Sequence, residues 1–130
     1  MAQKPIELIL ARQLATNLAM PVFLVEADGT LVFYNEPAER VLGMRFDATG
    51  EMPASEWATC WTPTDREGAA LPPERVPLAI ALAERRPAVG LLSIRGLDGA
   101  SRTIEVAAIP FVRADGQVVG AAAFFWETRG

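Results

Sequence analysis

The chain has 130 residues, 51% of them hydrophobic and 22% charged, with a net charge of -4. That is enough apolar material for one core and too little charge bias for disorder, and no apolar run approaches the roughly 18 residues of a membrane span. There is no histidine and a single cysteine, Cys60, which excludes an intramolecular disulfide and removes the commonest general base, metal ligand and axial haem ligand.

The opening "MAQKPIELILARQLATNLAM" has a basic residue followed by an apolar stretch, as a signal peptide would. Glu7, Arg12, Gln13 and Asn17 interrupt that stretch, so a cytoplasmic location is expected. The arginines are scattered along the chain, which argues against a nucleic-acid groove. Residues 5 to 19 read as an amphipathic helix, with Pro5 at its start and Ile6, Ile9, Leu10, Leu14 and Leu18 near one face. Leu8 widens that stripe beyond a neat seam. Two roles follow for the segment 1–19: a cover folded over its own domain (20–130), or a dimer contact.

Three Asp-Gly pairs follow, Asp28-Gly29, Asp98-Gly99 and Asp115-Gly116, each between apolar or β-branched runs. Asp-Gly in that setting is a strong hairpin signal. The first joins "PVFLVEA" to "TLVFYN", the second "AVGLLSI" to "RTIEVAAIP", and the third leads into "VVGAAAFFWET". Two early and three late strands make a five-stranded, mainly antiparallel sheet. Between them Asn35 is a good N-cap, Pro37 suits a first turn and Gly43 a helix end. "MPASEWATCWTP" supports a short helix closed by Pro63. "PPERVPLAIALAERR" supports a longer one whose arginines, Arg85 and Arg86, complement its C-terminus. This segregation of strands and helices predicts an α+β fold.

Period-2 alternation turns Ile104, Val106 and Ala108 toward the helices. The same alternation is expected to turn Leu92, Ile94, Ala122 and Phe124 inward, leaving Ala123 and Phe125 outside. The run Gly120-Ala121-Ala122-Ala123 is unusually small, so a helix approaches closely there or space is left for something else.

The order of these elements resembles a PAS domain. "VEADGTLVFYNEPAERVLG" is similar to that family's first hairpin and capped helix, and "DREGAALPPERVPLAIAL" to the segment leading into its long helix. "LDGASRTIEVAAIPFVRADGQVVGAAAFFWET" is similar to its closing three strands, and the likeness spans roughly residues 20 to 128. The resemblance implies a five-stranded antiparallel sheet with helices on one face, preceded here by the amphipathic helix. It implies sensing and protein–protein contact, often as a homodimer, with a signalling partner acting in trans or an effector on a longer parent chain.

Flavin-binding relatives use a reactive cysteine and amide side chains on the last three strands. The positions that correspond to those amides are Ile94, Ile104 and Ala122, and "EWATCWTP" around Cys60 does not match the reactive motif. Flavin is therefore disfavoured, haem is disfavoured for want of histidine, and Cys60 reads as a small filler. Met44 and Met52 read as packing residues. Ile80 stands where relatives often place a basic residue, which makes the pocket more apolar. The predicted interior is then lined by Trp57, Trp61, Ile80, Leu92, Ile94, Ile104, Val106, Ala122 and Phe124. It is either packed shut or open to a fatty acid or an aromatic compound. Trp57 and Trp61 share a helix face, and their indole N–H groups would give a ligand a polar handle. Asn35 reads as a cap, and Arg45 as a surface residue. Glu26, Tyr34 and Glu105 are the only acid–base candidates, and no convergent pair among them predicts an enzyme. No metal, nucleic-acid or membrane partner is expected.

Overall fold

The computed structural model describes residues 4–128; residues 1–3 and 129–130 lie outside the described residues. Helix α1 (Ile6–Thr16) precedes the hairpin β1 (Val22–Glu26) and β2 (Leu31–Tyr34). Four helices follow: α2 (Glu36–Leu42), α3 (Phe46–Thr49), α4 (Ala54–Cys60) and α5 (Pro77–Glu84). A single 3₁₀ turn, Pro73–Arg75, leads into α5. The chain closes with β3 (Ala88–Arg95), β4 (Ser101–Val112) and β5 (Val118–Glu127). The five strands pair antiparallel in the order β2-β1-β5-β4-β3, which brings the N-terminal hairpin beside the last strand.

Each Asp-Gly pair makes its turn by the same chemistry. Gly29, Gly99 and Gly116 take φ near +90°, a region where a side chain is strained. The preceding aspartates accept the backbone N–H of Thr30, Ala100 and Gln117 at 2.9, 3.1 and 2.9 Å. At the other end of the hairpin Asn35 caps α2, its Oδ1 accepting the N–H of Ala38 at 3.2 Å. Gly43 ends α2 in the left-handed region at φ +77°. A β-carbon there would also lie 2.7 Å from the backbone nitrogen of Asp98.

The sheet separates two apolar clusters. Its concave face, with Phe23, Val25, Tyr34, Ile94, Ile104, Val106, Ala123 and Phe125, packs against α2, α4 and α5. The convex face carries Val22, Leu24, Val32 and Ala122 beneath Leu8 and Ala15 of α1. Both of the roles open to α1 bear on this arrangement: the helix does cover its own sheet, yet through Leu8, Ala11 and Ala15. Of the stripe read from the sequence, only Leu18 joins that cluster. Ile6, Leu10 and Leu14 remain about 60% exposed on the opposite side, and Ile9 is exposed beside them.

Three expectations need correction. Ala122 and Phe124 lie on the convex face and Ala123 and Phe125 on the concave one, because Ala123 pairs with Phe23 and Ala108. A bulge between Phe111 and Val112 shifts the β4–β5 register, and a one-residue slip exchanges the faces of a strand. Arg85 and Arg86 stand just past the last turn of α5 and not within it. Arg85 closes the helix with its own backbone at φ +56°, while Arg86 pairs with Glu84. Pro5 sits at the N-cap of α1 and not inside it, its carbonyl accepting from Leu8 and Ile9.

Candidate functional site: an apolar cavity in the concave sheet

The inner side chains of β3, β4 and β5 alternate with outer ones, so Leu92, Ile94, Ile104, Val106, Ala123 and Phe125 converge on one volume. Phe23 of β1 and Leu42 of α2 close one side; Val76, Pro77 and Leu78 at the start of α5 close another. Trp57 and Ala58 of α4, with Trp61 at its C-cap, form the roof. The result is a cavity of about 90 Å³ between sheet and helices, with Pro63 the one lining residue partly open to solvent. Beside Pro63, Thr62 holds φ +41°. For a β-branched residue that is a strained conformation, of the sort that costs about 1–3 kcal/mol and gathers at functional sites.

Of the residues predicted to line the site, Trp57, Trp61, Leu92, Ile94, Ile104 and Val106 meet there. Ile80 packs against the same core from α5 without reaching the cavity, and Ala122 and Phe124 belong to the convex cluster. Sequence reasoning missed Phe23, Leu42, Ala58, Pro63, Val76, Pro77, Leu78, Ala123 and Phe125; β1 is apolar on both faces, so alternation did not single out Phe23.

Both tryptophans are bolted in place. The Trp57 indole N–H donates to the Gly29 carbonyl at 2.7 Å, and that of Trp61 to the Leu42 carbonyl at 2.9 Å. The expectation that these groups would offer a ligand a polar handle is therefore overturned: each is already spent on backbone. Phe23 stands edge-to-face to both, with centroids 5.3 and 6.1 Å away. Trp57, Trp61 and Phe23 form an aromatic corner at the cavity's end.

The titratable groups lie elsewhere. Tyr34 is fully buried and donates its hydroxyl to the Met44 carbonyl at 2.9 Å, and burial pushes its pKa up. Glu26 pairs with Lys4 at 3.1 Å, and Glu105 stands on the convex face between Leu91 and Trp126. Burial likewise raises the Cys60 thiol, the charge of Glu56 adding to it, so little thiolate forms. Arg45 pairs with Asp47 on the surface. Among the described residues no group of three potential metal ligands comes together. None of their helices is long and apolar enough to cross a membrane.

A model of the PAS fold matches residues 15–129. The chain belongs to the PAS family. Solved structures agree on this fold. The PAS domain of BvgS from Bordetella pertussis superposes with a TM-score of 0.60 at 14% identity, covering 95% of this chain and 87% of that one. The LOV protein of Rhodobacter sphaeroides gives 0.74 at 13% identity, with 96% and 69% covered. The PAS domain of the fruit-fly ELK potassium channel gives 0.67 at 12% identity, with 96% and 98% covered. No curated protein matches by sequence. At these identities the likeness concerns fold, and PAS domains are in general sensory, non-catalytic modules.

Proposed function

We propose that this PAS domain is a sensory module of signal transduction whose input is a small hydrophobic ligand held in the concave cavity. The observation that carries the reading is an apolar void of about 90 Å³ at the centre of the fold. At about 24 cal/mol per Å³, an empty cavity of that size costs about 2 kcal/mol. A bound ligand recovers that cost. The lining also speaks against a flavin: the inward positions Ile94, Ile104 and Ala123 are all aliphatic and offer the polar edge of such a ring no partner. A long fatty acyl chain exceeds the cavity several-fold.

A second reading, a protein-interaction module with output in trans, rests on the convex face. There Val89, Leu91, Ile109 and Trp126 of β3, β4 and β5 are exposed together with the outer stripe of α1. We propose that a second copy covers this surface. The α1 stripe of Ile6, Leu10 and Leu14 carries no charge, so two copies meet there without the repulsion their net charge of -4 brings elsewhere. A cytoplasmic site is proposed from the single, partly buried cysteine.

Native mass spectrometry of protein purified without detergent tests the sensory reading. The expected result is a mass above that of the bare chain, released as a small apolar compound on denaturation. A bare chain that also takes up no apolar probe in solution would overturn the ligand reading and leave the interaction module.

A further inference from the structure

We propose that the cavity selects by polarity as well as by size. Its ligand is a single-ring aromatic hydrocarbon without hydrogen-bonding substituents, and the consumed indole N–H groups of Trp57 and Trp61 are the selectivity device. This rests on the reading of the cavity as a ligand site. Volume bounds the size: an engineered apolar cavity of about 150 Å³ takes benzene, so the 90 Å³ found here must widen to admit one ring and has no room for two. Ring character follows from the walls, since Phe23, Trp57, Trp61 and Phe125 present aromatic faces and edges to whatever sits between them.

Polarity follows from what the walls withhold. The two indole N–H groups are the only polar side-chain atoms on the lining residues, and each already donates to a backbone carbonyl. A phenolic hydroxyl or a carboxylate entering the cavity would lose its water and gain no partner. The same chemistry makes the filter adjustable at one position. Trp61→Phe removes the N–H that occupies the Leu42 carbonyl and vacates the space of the pyrrole ring. That carbonyl then accepts a hydroxyl, although the backbone N–H of Leu97, at 2.9 Å, still shares it.

The test titrates the whole chain with toluene, phenol and decanoate, read by the indole N–H signals of Trp57 and Trp61 in nuclear magnetic resonance. Toluene is expected to bind saturably and at least about tenfold more tightly than phenol or decanoate. Ala58→Leu, which fills the cavity from α4, is expected to abolish the toluene response. In Trp61→Phe the preference is expected to move toward phenol, a change that loss of packing alone would not produce. Should that variant not fold, the wild-type series decides. Phenol or decanoate binding as tightly as toluene overturns the filter and leaves the cavity reading standing. Absence of binding by all three overturns both.

Discussion

Asp98 shows how much a single turn residue can hold. Its carboxylate receives Arg102 through two nitrogens, at 3.0 and 3.3 Å, and the Ala100 N–H at 3.1 Å. Arg102 donates onward to the Val41 carbonyl at 3.0 Å, so the β3–β4 turn grips the C-terminal end of α2. Beside it the Leu97 N–H donates to Leu42, and Gly43 leaves room that any side chain would take from Asp98. The Arg102 hydrogen bonds, then the Ala100 amide, draw the Asp98 pKa down from 3.8 to about 2. A depressed carboxylate stabilises the fold fully above its unfolded value and loses that contribution as pH falls toward the folded one. The expected outcome is that wild type exceeds Asp98→Asn in thermal stability by a constant margin from about pH 5 to 8, and that the margin closes between about pH 4 and 2. A margin that stays constant down to the acid end would show that the charge of Asp98 contributes nothing. Asp98 was legible as a turn residue from its glycine neighbour, but Arg102 and Val41 lie four and fifty-seven positions away from it in the chain, and nothing local marks them.

Among elements, α1 is held by a buried clasp as well as by packing. Asn35 accepts the N–H groups of Val22 and Ala38 through Oδ1 and donates through Nδ2 to the carbonyls of Ala15 and Met20. One side chain thus joins the end of α1, the start of β1 and the start of α2, with all its hydrogen-bonding capacity used. Its capping role was legible in the sequence; its hold on α1 was not, since that depends on where the helix docks. Asn35→Ala takes a partner from each of those four groups, although the Ala15 carbonyl still accepts the Leu18 N–H, and is expected to cost about 3 kcal/mol in chemical denaturation. Asn35→Ser keeps a hydroxyl for Ala38 but cannot reach Ala15 or Met20. In that variant the amides of Ile6–Thr16 are expected to exchange with solvent faster while the sheet stays protected. Unchanged exchange in α1 would mean that Leu8 and Ala15 hold the helix by packing alone. The docking of α1 also explains why the inward face of β5 is not legible in the sequence. With α1 outside and the cavity inside, "GAAAFFW" is apolar on both faces and carries no alternation to fix its parity.

At the scale of the whole molecule, the turns and the helix cap made the order of elements readable, whereas the cavity depends on which face of each strand looks inward. The sequence therefore located the wall built by β3, β4 and α4, and exchanged the two faces of the strand between β1 and β4. The exposed apolar surface is likewise a property of the assembled fold: α1 buries one side and turns Ile6, Leu10 and Leu14 outward, next to a sheet face whose Val89 is 70% exposed. A stable self-contact needs about 800 Å² from each partner, and the α1 stripe and the convex strands must both contribute to reach it. Light scattering over a range of concentrations is expected to give the mass of a dimer for the wild type. Leu10→Glu combined with Leu14→Glu is expected to give that of a monomer, because four carboxylates would be desolvated in one neutral contact. Both leucines are about 60% exposed, so the melting temperature of the isolated subunit is expected to change little. A wild-type chain that stays monomeric at every concentration would assign this surface to a different protein. A double variant that remains dimeric would move the contact away from α1 and onto the strands, where Val89→Glu is the substitution that then separates the copies.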